Sequence, residues 1–221
     1  MKRVIIAGLL ATVATASFAQ YDEKTYSGWG IRAGLDINIP GDWKFNNGND
    51  NVKMFSSGAG FTAGVVYNKP VWGNFYIEPG LAIFYDTYKV SDLTMGVDGN
   101  SSPVTIDPKV SKFGLRLPVM AGYTFTAGDR FCIQVFTGPE LRYAFVGKLG
   151  LKTEWNLGEN VSDNIFDYGY RRFDCAWKLG VGFPMGRWYV SVDGAFGLLD
   201  LHKNDISFRE NRATVSLGYD F

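Results

Sequence analysis

The chain has 221 residues with 22 basic and 22 acidic side chains, one histidine, two cysteines, 27 glycines and 16% aromatic residues. Formal neutrality without a basic cluster leaves no footing for a nucleic-acid partner, and no stretch reaches the roughly 18 to 20 apolar residues of a membrane-crossing helix. Many aromatics and glycines without helical runs point to strands.

Lys2 and Arg3, the short apolar run Val4 to Val13, and Ser17-Phe18-Ala19 follow one another as a basic, an apolar and a small-residue segment. That series predicts a signal peptide over residues 1–19 and a mature domain over 20–221. Cleavage after Ala19 leaves 202 of the 221 residues and takes Lys2 and Arg3 from the 22 bases, for a formal charge of about −2.

Alternation with period two then recurs eight times. The first strand, Gly28 to Ile37, sets Trp29, Ile31, Ala33, Leu35 and Ile37 against Gly30, Arg32, Gly34 and Asp36. The second, Ala59 to Asn68, opposes Phe61, Ala63, Val65 and Tyr67 to Gly60, Thr62, Gly64 and Asn68. The third runs from Phe75 to Tyr88, the fourth from Ser111 to Phe125 and the fifth from Phe131 to Phe145. The sixth (Phe173 to Pro184), seventh (Trp188 to Leu199) and eighth (Arg212 to Phe221) repeat the scheme. In every strand the apolar parity lacks Asp, Glu, Lys and Arg, as a face turned to lipid must.

The links alternate in length. Lys69 to Asn74, Thr126 to Arg130 and Met185-Gly186 are short; Asn38 to Ser57, Lys89 to Val110, Gly147 to Arg172 and Asp200 to Asn211 are long. Short periplasmic turns and long extracellular loops are the habit of outer-membrane barrels. The expected fold is therefore all-β: a closed, eight-stranded, antiparallel, up-and-down transmembrane barrel in a bacterial outer membrane, with both termini periplasmic. Trp29, Trp72, Phe75, Tyr123, Phe125, Phe131, Phe183, Trp188, Tyr219 and Phe221 fall at the expected periplasmic ends, and Tyr85, Tyr143, Phe145, Phe173 and Trp177 at the other rim. Two aromatic girdles at the headgroup boundaries follow.

The eighth strand ends on Phe221 with Tyr219, Leu217 and Val215 at alternate positions, and the fourth carries Leu115-Arg116-Leu117-Pro118-Val119 and Gly122-Tyr123-Thr124-Phe125. In these features the chain resembles the small outer-membrane β-barrel family labelled PorT-like or porin family. The resemblance implies that the barrel-assembly machinery pairs with the strand ending in Phe221, and it extends to an accessory role in export.

The other parity holds seven acids (Asp36, Glu78, Asp86, Glu140, Asp174, Asp193, Asp220) and six bases (Arg32, Lys112, Arg116, Arg142, Lys178, Arg212). Near balance predicts mutual pairing inside the barrel. A hairpin centred on Gly128 would set Arg116 opposite Glu140, and a Met185-Gly186 turn would set Lys178 opposite Asp193, as structural lumen ion pairs. The interior is then a polar plug in preference to a conduit, since eight strands leave little more than room for side chains. Glycines crowd the same parity and make space for Tyr76, Phe84 and Phe136. Pro79, Pro118 and Pro139 each remove a ladder donor, with bulges expected beside them.

No catalytic, cofactor-binding or metal-binding residue is assigned. His202, near Asp200, Asp205 and Ser207, is expected as a solvated loop residue, and the sequons at Asn100 and Asn160 carry no weight in a bacterial loop. Cys132, facing inward near the periplasm, and Cys175, facing outward near the outer surface, are expected too far apart for a disulfide. The function expected is non-enzymatic: binding at the outer loops, envelope structure or an accessory role in export, with outer-membrane lipid as the surrounding partner. The alternatives are a narrow porin-like channel and an outer-membrane enzyme acting on lipid or peptide; a soluble lipocalin-type barrel would need an apolar interior.

Overall fold

The computed structural model describes residues 27–41, 43–45, 51–52, 55–90, 93–95, 104–127, 131–153, 161–201 and 206–221. The expected signal peptide, the sequon asparagines Asn100 and Asn160, and His202 lie outside these residues. Eight strands carry the architecture: β1 (Gly28–Pro40), β2 (Gly58–Trp72), β3 (Phe75–Val90), β4 (Val104–Ala127), β5 (Phe131–Thr153), β6 (Phe173–Met185), β7 (Trp188–Gly197) and β8 (Glu210–Asp220).

Each strand pairs antiparallel with the next, and β8 returns to β1 from Gly30↔Asp220 to Pro40↔Glu210, so the sheet is a closed eight-stranded barrel. Closure is what the solvent demands, because hydrocarbon offers no hydrogen bonds and an open sheet edge would strand its amides and carbonyls. Following the ladder from Asp36 through β2, β3 and β4 reaches Gly147 on β5; following it through β8, β7 and β6 reaches Phe136 on the same strand. That stagger along β5 is the shear that tilts the strands and sets the narrow bore.

The apolar parity faces outward, with Leu35, Leu117, Leu179, Val192 and Leu217 all exposed. Rings collect where the alternation predicts them. Trp29 and Tyr67, Phe75 and Tyr123, Tyr123 and Phe125, Trp188 and Tyr219, and Tyr219 and Phe221 lie 4.6 to 5.7 Å apart at the short-turn end. Phe61 with Tyr85 and Tyr143 with Phe145 mark the long-loop end.

Three expectations need correction. The β6–β7 turn is Gly186-Arg187, with Gly186 at φ 63 as the first central residue, so Lys178 faces Ala195 and Gly180 faces Asp193. Glycine occupies that corner because a two-residue hairpin turn demands positive φ there. The β4–β5 hairpin is likewise centred one residue further on, setting Glu140 opposite Pro118 and Arg116 opposite Arg142. The prolines do not shift the register: Pro79↔Val119 and Ala82↔Arg116 belong to one frame, as do Pro118↔Glu140 and Ala121↔Thr137. Losing a donor breaks one rung without adding a residue to either strand. The bulges lie instead between Pro70 and Trp72 and between Phe113 and Gly114.

The expected long links also contain strand. β4 and β5 run 24 and 23 residues, well past Ser111 and Phe145. Leu93–Met95 adds to β4 and Val161–Asn164 to β5, building a four-stranded sheet at the long-loop end. Trp43–Phe45, Asn51–Val52 and Ile206–Ser207 form a separate small sheet there.

Candidate functional site

The inward parity builds three tiers of charge. In the middle tier Arg116 on β4 donates through Nη1 to Asp36 on β1 and through Nη2 to Asp86 on β3, each at 2.7 Å. Arg212 on β8 donates through Nη2 to Glu140 on β5 at 2.8 and 3.0 Å, and its Nε lies 3.6 Å from Asp36. Thr214 gives its hydroxyl proton to Asp36 at 2.7 Å. Five strands are thus tied across the bore by fixed, charge-assisted hydrogen bonds, the kind strong enough to hold buried ions.

Toward the long loops, Lys112 pairs with Glu210 and Arg142 with Asp174, and Arg142 also lies 3.5 Å from Glu210. Toward the short turns, Arg32 meets Asp220 at 2.6 Å and Glu78 at 3.3 Å, with its guanidinium 4.3 Å from the centre of the Tyr189 ring. All thirteen charges assigned to the interior by parity are in these clusters or in the Lys178–Asp193 pair at 3.2 Å. That pair forms diagonally and not between direct opposites. Arg116 and Glu140 approach only to 4.0 Å, because Arg116 is spent on Asp36 and Asp86. Glu210 was not among the expected interior charges, although it shares the parity of Arg212 and stands two residues before it.

Apolar packing closes both ends of this ionic column. At the long-loop end Ile165 and Phe166 pack over Phe84, Tyr88, Val110 and Ala144, with Leu149 and Tyr170 against them. The turn bearing them, Ile165–Tyr168, is started by the Asn164 side chain accepting from the Phe166 amide and stopped by Gly169 at φ 88. Burial beside Glu210 pushes the Tyr170 phenol above its ordinary pKa, so it stays protonated in the mouth. At the short-turn end Tyr76, Met120 and Phe136 pack together. A Cβ on Gly122 would collide with the Tyr76 ring, and one on Gly180 with Phe136, so these glycines make the room that the rings fill.

Between the two packed layers lies a cavity of about 70 Å³ touched by Arg32, Glu78, Arg116, Glu140, Lys178 and Arg212. That is the volume of a few water molecules, not of a solute path. The purified barrel in planar bilayers is expected to give no discrete conductance steps; reproducible single-channel steps would show that the interior opens. Cys132 is buried and Cys175 half-buried, and no disulfide joins them. Among the described residues no group of three or more His, Cys, Asp or Glu side chains is arranged to hold a metal ion.

A family model described as outer membrane protein beta-barrel domain matches residues 18–203, from β1 through β7. No curated protein matches the chain. Among solved structures it is similar to the attachment invasion locus protein Ail of Yersinia pestis, at 16% identity over 89% of this chain and 100% of that one, with a TM-score of 0.42. Neisserial surface protein A is similar at 11% identity over 88% of this chain and 98% of that one, with a TM-score of 0.47. OprG of Pseudomonas aeruginosa is similar at 13% identity over 88% and 96%, with a TM-score of 0.41.

Proposed function

The chain belongs to the outer membrane protein beta-barrel family, and from that premise we propose that it is a non-enzymatic binding protein whose recognition surface is the sheet raised beyond the bore at the long-loop end. The observation that carries this reading is the unequal investment in the two ends. β4 and β5 run 24 and 23 residues where β8 needs 11, and both gain an added strand. Backbone ordered beyond the membrane costs roughly 1–2 kcal/mol per residue. A barrel that only had to span would not extend it.

The long-loop end is proposed to face outward and both chain ends the periplasm, since Trp29 and Phe221 meet at the short-turn end through a hydrogen bond of 3.0 Å. Short turns on the periplasmic side are the rule for such barrels. Within the same proposal the barrel-assembly machinery engages β8 and Phe221, and lipid covers the outer wall. The PorT-like likeness and its export role belong here too, supported by the terminal strand and the two fourth-strand segments that carry the resemblance. The packed ionic interior weighs against the narrow-channel reading.

The test replaces residues 92–108 and 149–164 by short turns, which removes the raised sheet and keeps the ring. Retention of envelope or host-surface partners by the intact barrel is expected to fall to background in the trimmed one. Equal retention by both would sink the binding reading.

A further inference from the structure

Outside the bore, at the long-loop rim, a groove of about 500 Å³ is lined by Tyr143, Phe173, Arg171, Arg172, Asp167 and Phe166 among others. We propose that this groove binds the phosphorylated sugar headgroup of an outer-leaflet glycolipid. The inference rests on the outward orientation given above.

The groove spans the boundary at which such a molecule changes character. Its lower wall is Tyr143 and Phe173, cross-strand partners on β5 and β6, both exposed on the outer face. Below them the wall continues as exposed Leu141, Trp177 and Leu179, which is where acyl chains lie. Above them stand Arg171 and Arg172, both exposed. An amphiphile with chains down and an anion up matches this order of surfaces, whereas free phosphate would use only its top.

The arginines are suited to an anion. Arg172 is fixed in place, donating through Nη1 to the Phe145 carbonyl at 2.7 Å and stacking 4.1 Å from the centre of the Phe166 ring. Both contacts leave guanidinium N–H groups directed elsewhere, and guanidinium is the side chain best matched to phosphate oxygens. Neither Arg171 nor Arg172 has a carboxylate within ion-pair distance among the described residues, in contrast to every arginine inside the bore. Among the described residues that line the groove, Asp167 is the single carboxylate against two arginines, a surplus of one positive charge. The volume falls in the range of sites that enclose a small ligand.

The test uses the full chain in phosphatidylcholine nanodiscs, with diphosphoryl lipid A, its dephosphorylated form and inorganic phosphate as probes. Diphosphoryl lipid A is expected to bind about tenfold or more tightly than the dephosphorylated lipid. Arg171→Ala with Arg172→Ala is expected to abolish that preference, Arg171→Lys with Arg172→Lys to keep part of it, and millimolar phosphate to leave binding unchanged. Equal affinity for the two lipids overturns the proposal, as does a preference that survives the double alanine variant or displacement by free phosphate. Folding of each variant is read from the mobility shift between unheated and boiled samples. Insertion with the long loops accessible but no phosphate preference condemns the rim site alone; loops inaccessible from outside condemn the orientation beneath it.

Discussion

Arg116→Met is expected to lower the unfolding free energy of the barrel in detergent by about 3–5 kcal/mol, or to prevent folding altogether. The side chain is 2% exposed and is the cation that joins Asp36 and Asp86 across the bore. Its removal affects those carboxylates unequally. Asp36 keeps the Thr214 hydroxyl at 2.7 Å and Arg212 at 3.6 Å, while Asp86 has no other cation within ion-pair distance among the described residues. A buried carboxylate without a partner is what makes breaking such a bridge so costly. Adding Asp86→Asn to Arg116→Met should therefore restore most of the loss, and adding Asp36→Asn should restore much less. Breaking the exposed Arg209–Asp200 pair, with side chains 55% and 42% accessible, should cost no more than about 1 kcal/mol. Urea titration of the four variants separates these outcomes, and an Arg116→Met barrel as stable as the parent would refute the account.

The tiers could be foreseen from sequence while their pairing could not, for one physical reason. Side-chain direction in a strand depends on parity, which survives any slip of two residues; partnership depends on register, which does not. Placing the β6–β7 turn one residue early shifted its ladder by two, so Lys178 and Asp193 kept their face but lost their rung. The same slip at the β4–β5 hairpin took Arg116 and Glu140 off one rung and left them 4.0 Å apart, and the stagger of the ring brought Asp36 and Asp86 closer to Arg116. No local pattern encodes that second step, because it is set by closure around all eight strands. Glu210 was within reach of the alternation, but reading β8 from Arg212 left it outside the frame. The cap of Ile165 and Phe166 had no comparable signal, since a short turn has no hydrophobic period to detect.

Close approach of backbones is the other consequence of closing so narrow a ring, and Gly114→Ala is expected to cost about 3 kcal/mol on that account. A Cβ at Gly114 would run into the Tyr143 carbonyl oxygen on β5, with Ala144 Cα at 2.8 Å and Phe84 Cε1 at 2.9 Å behind it. A ring can swing aside, but a ladder carbonyl can move only with its strand. This glycine also adjoins the bulge at Phe113, beyond which Val146 takes the exposed position and Gly147 the buried one on β5. Forcing the strands apart there would loosen the step from bore to raised sheet. Gly194 is the control: its added Cβ would find nothing nearer than the Phe196 ring at 3.7 Å, and its backbone does not require glycine. Gly194→Ala should be neutral or stabilising by about 0.5–1 kcal/mol, through the smaller entropy of the unfolded chain. Unfolding midpoints in the same detergent decide the matter, and equal effects at the two glycines would mean that close strand approach is not what holds position 114.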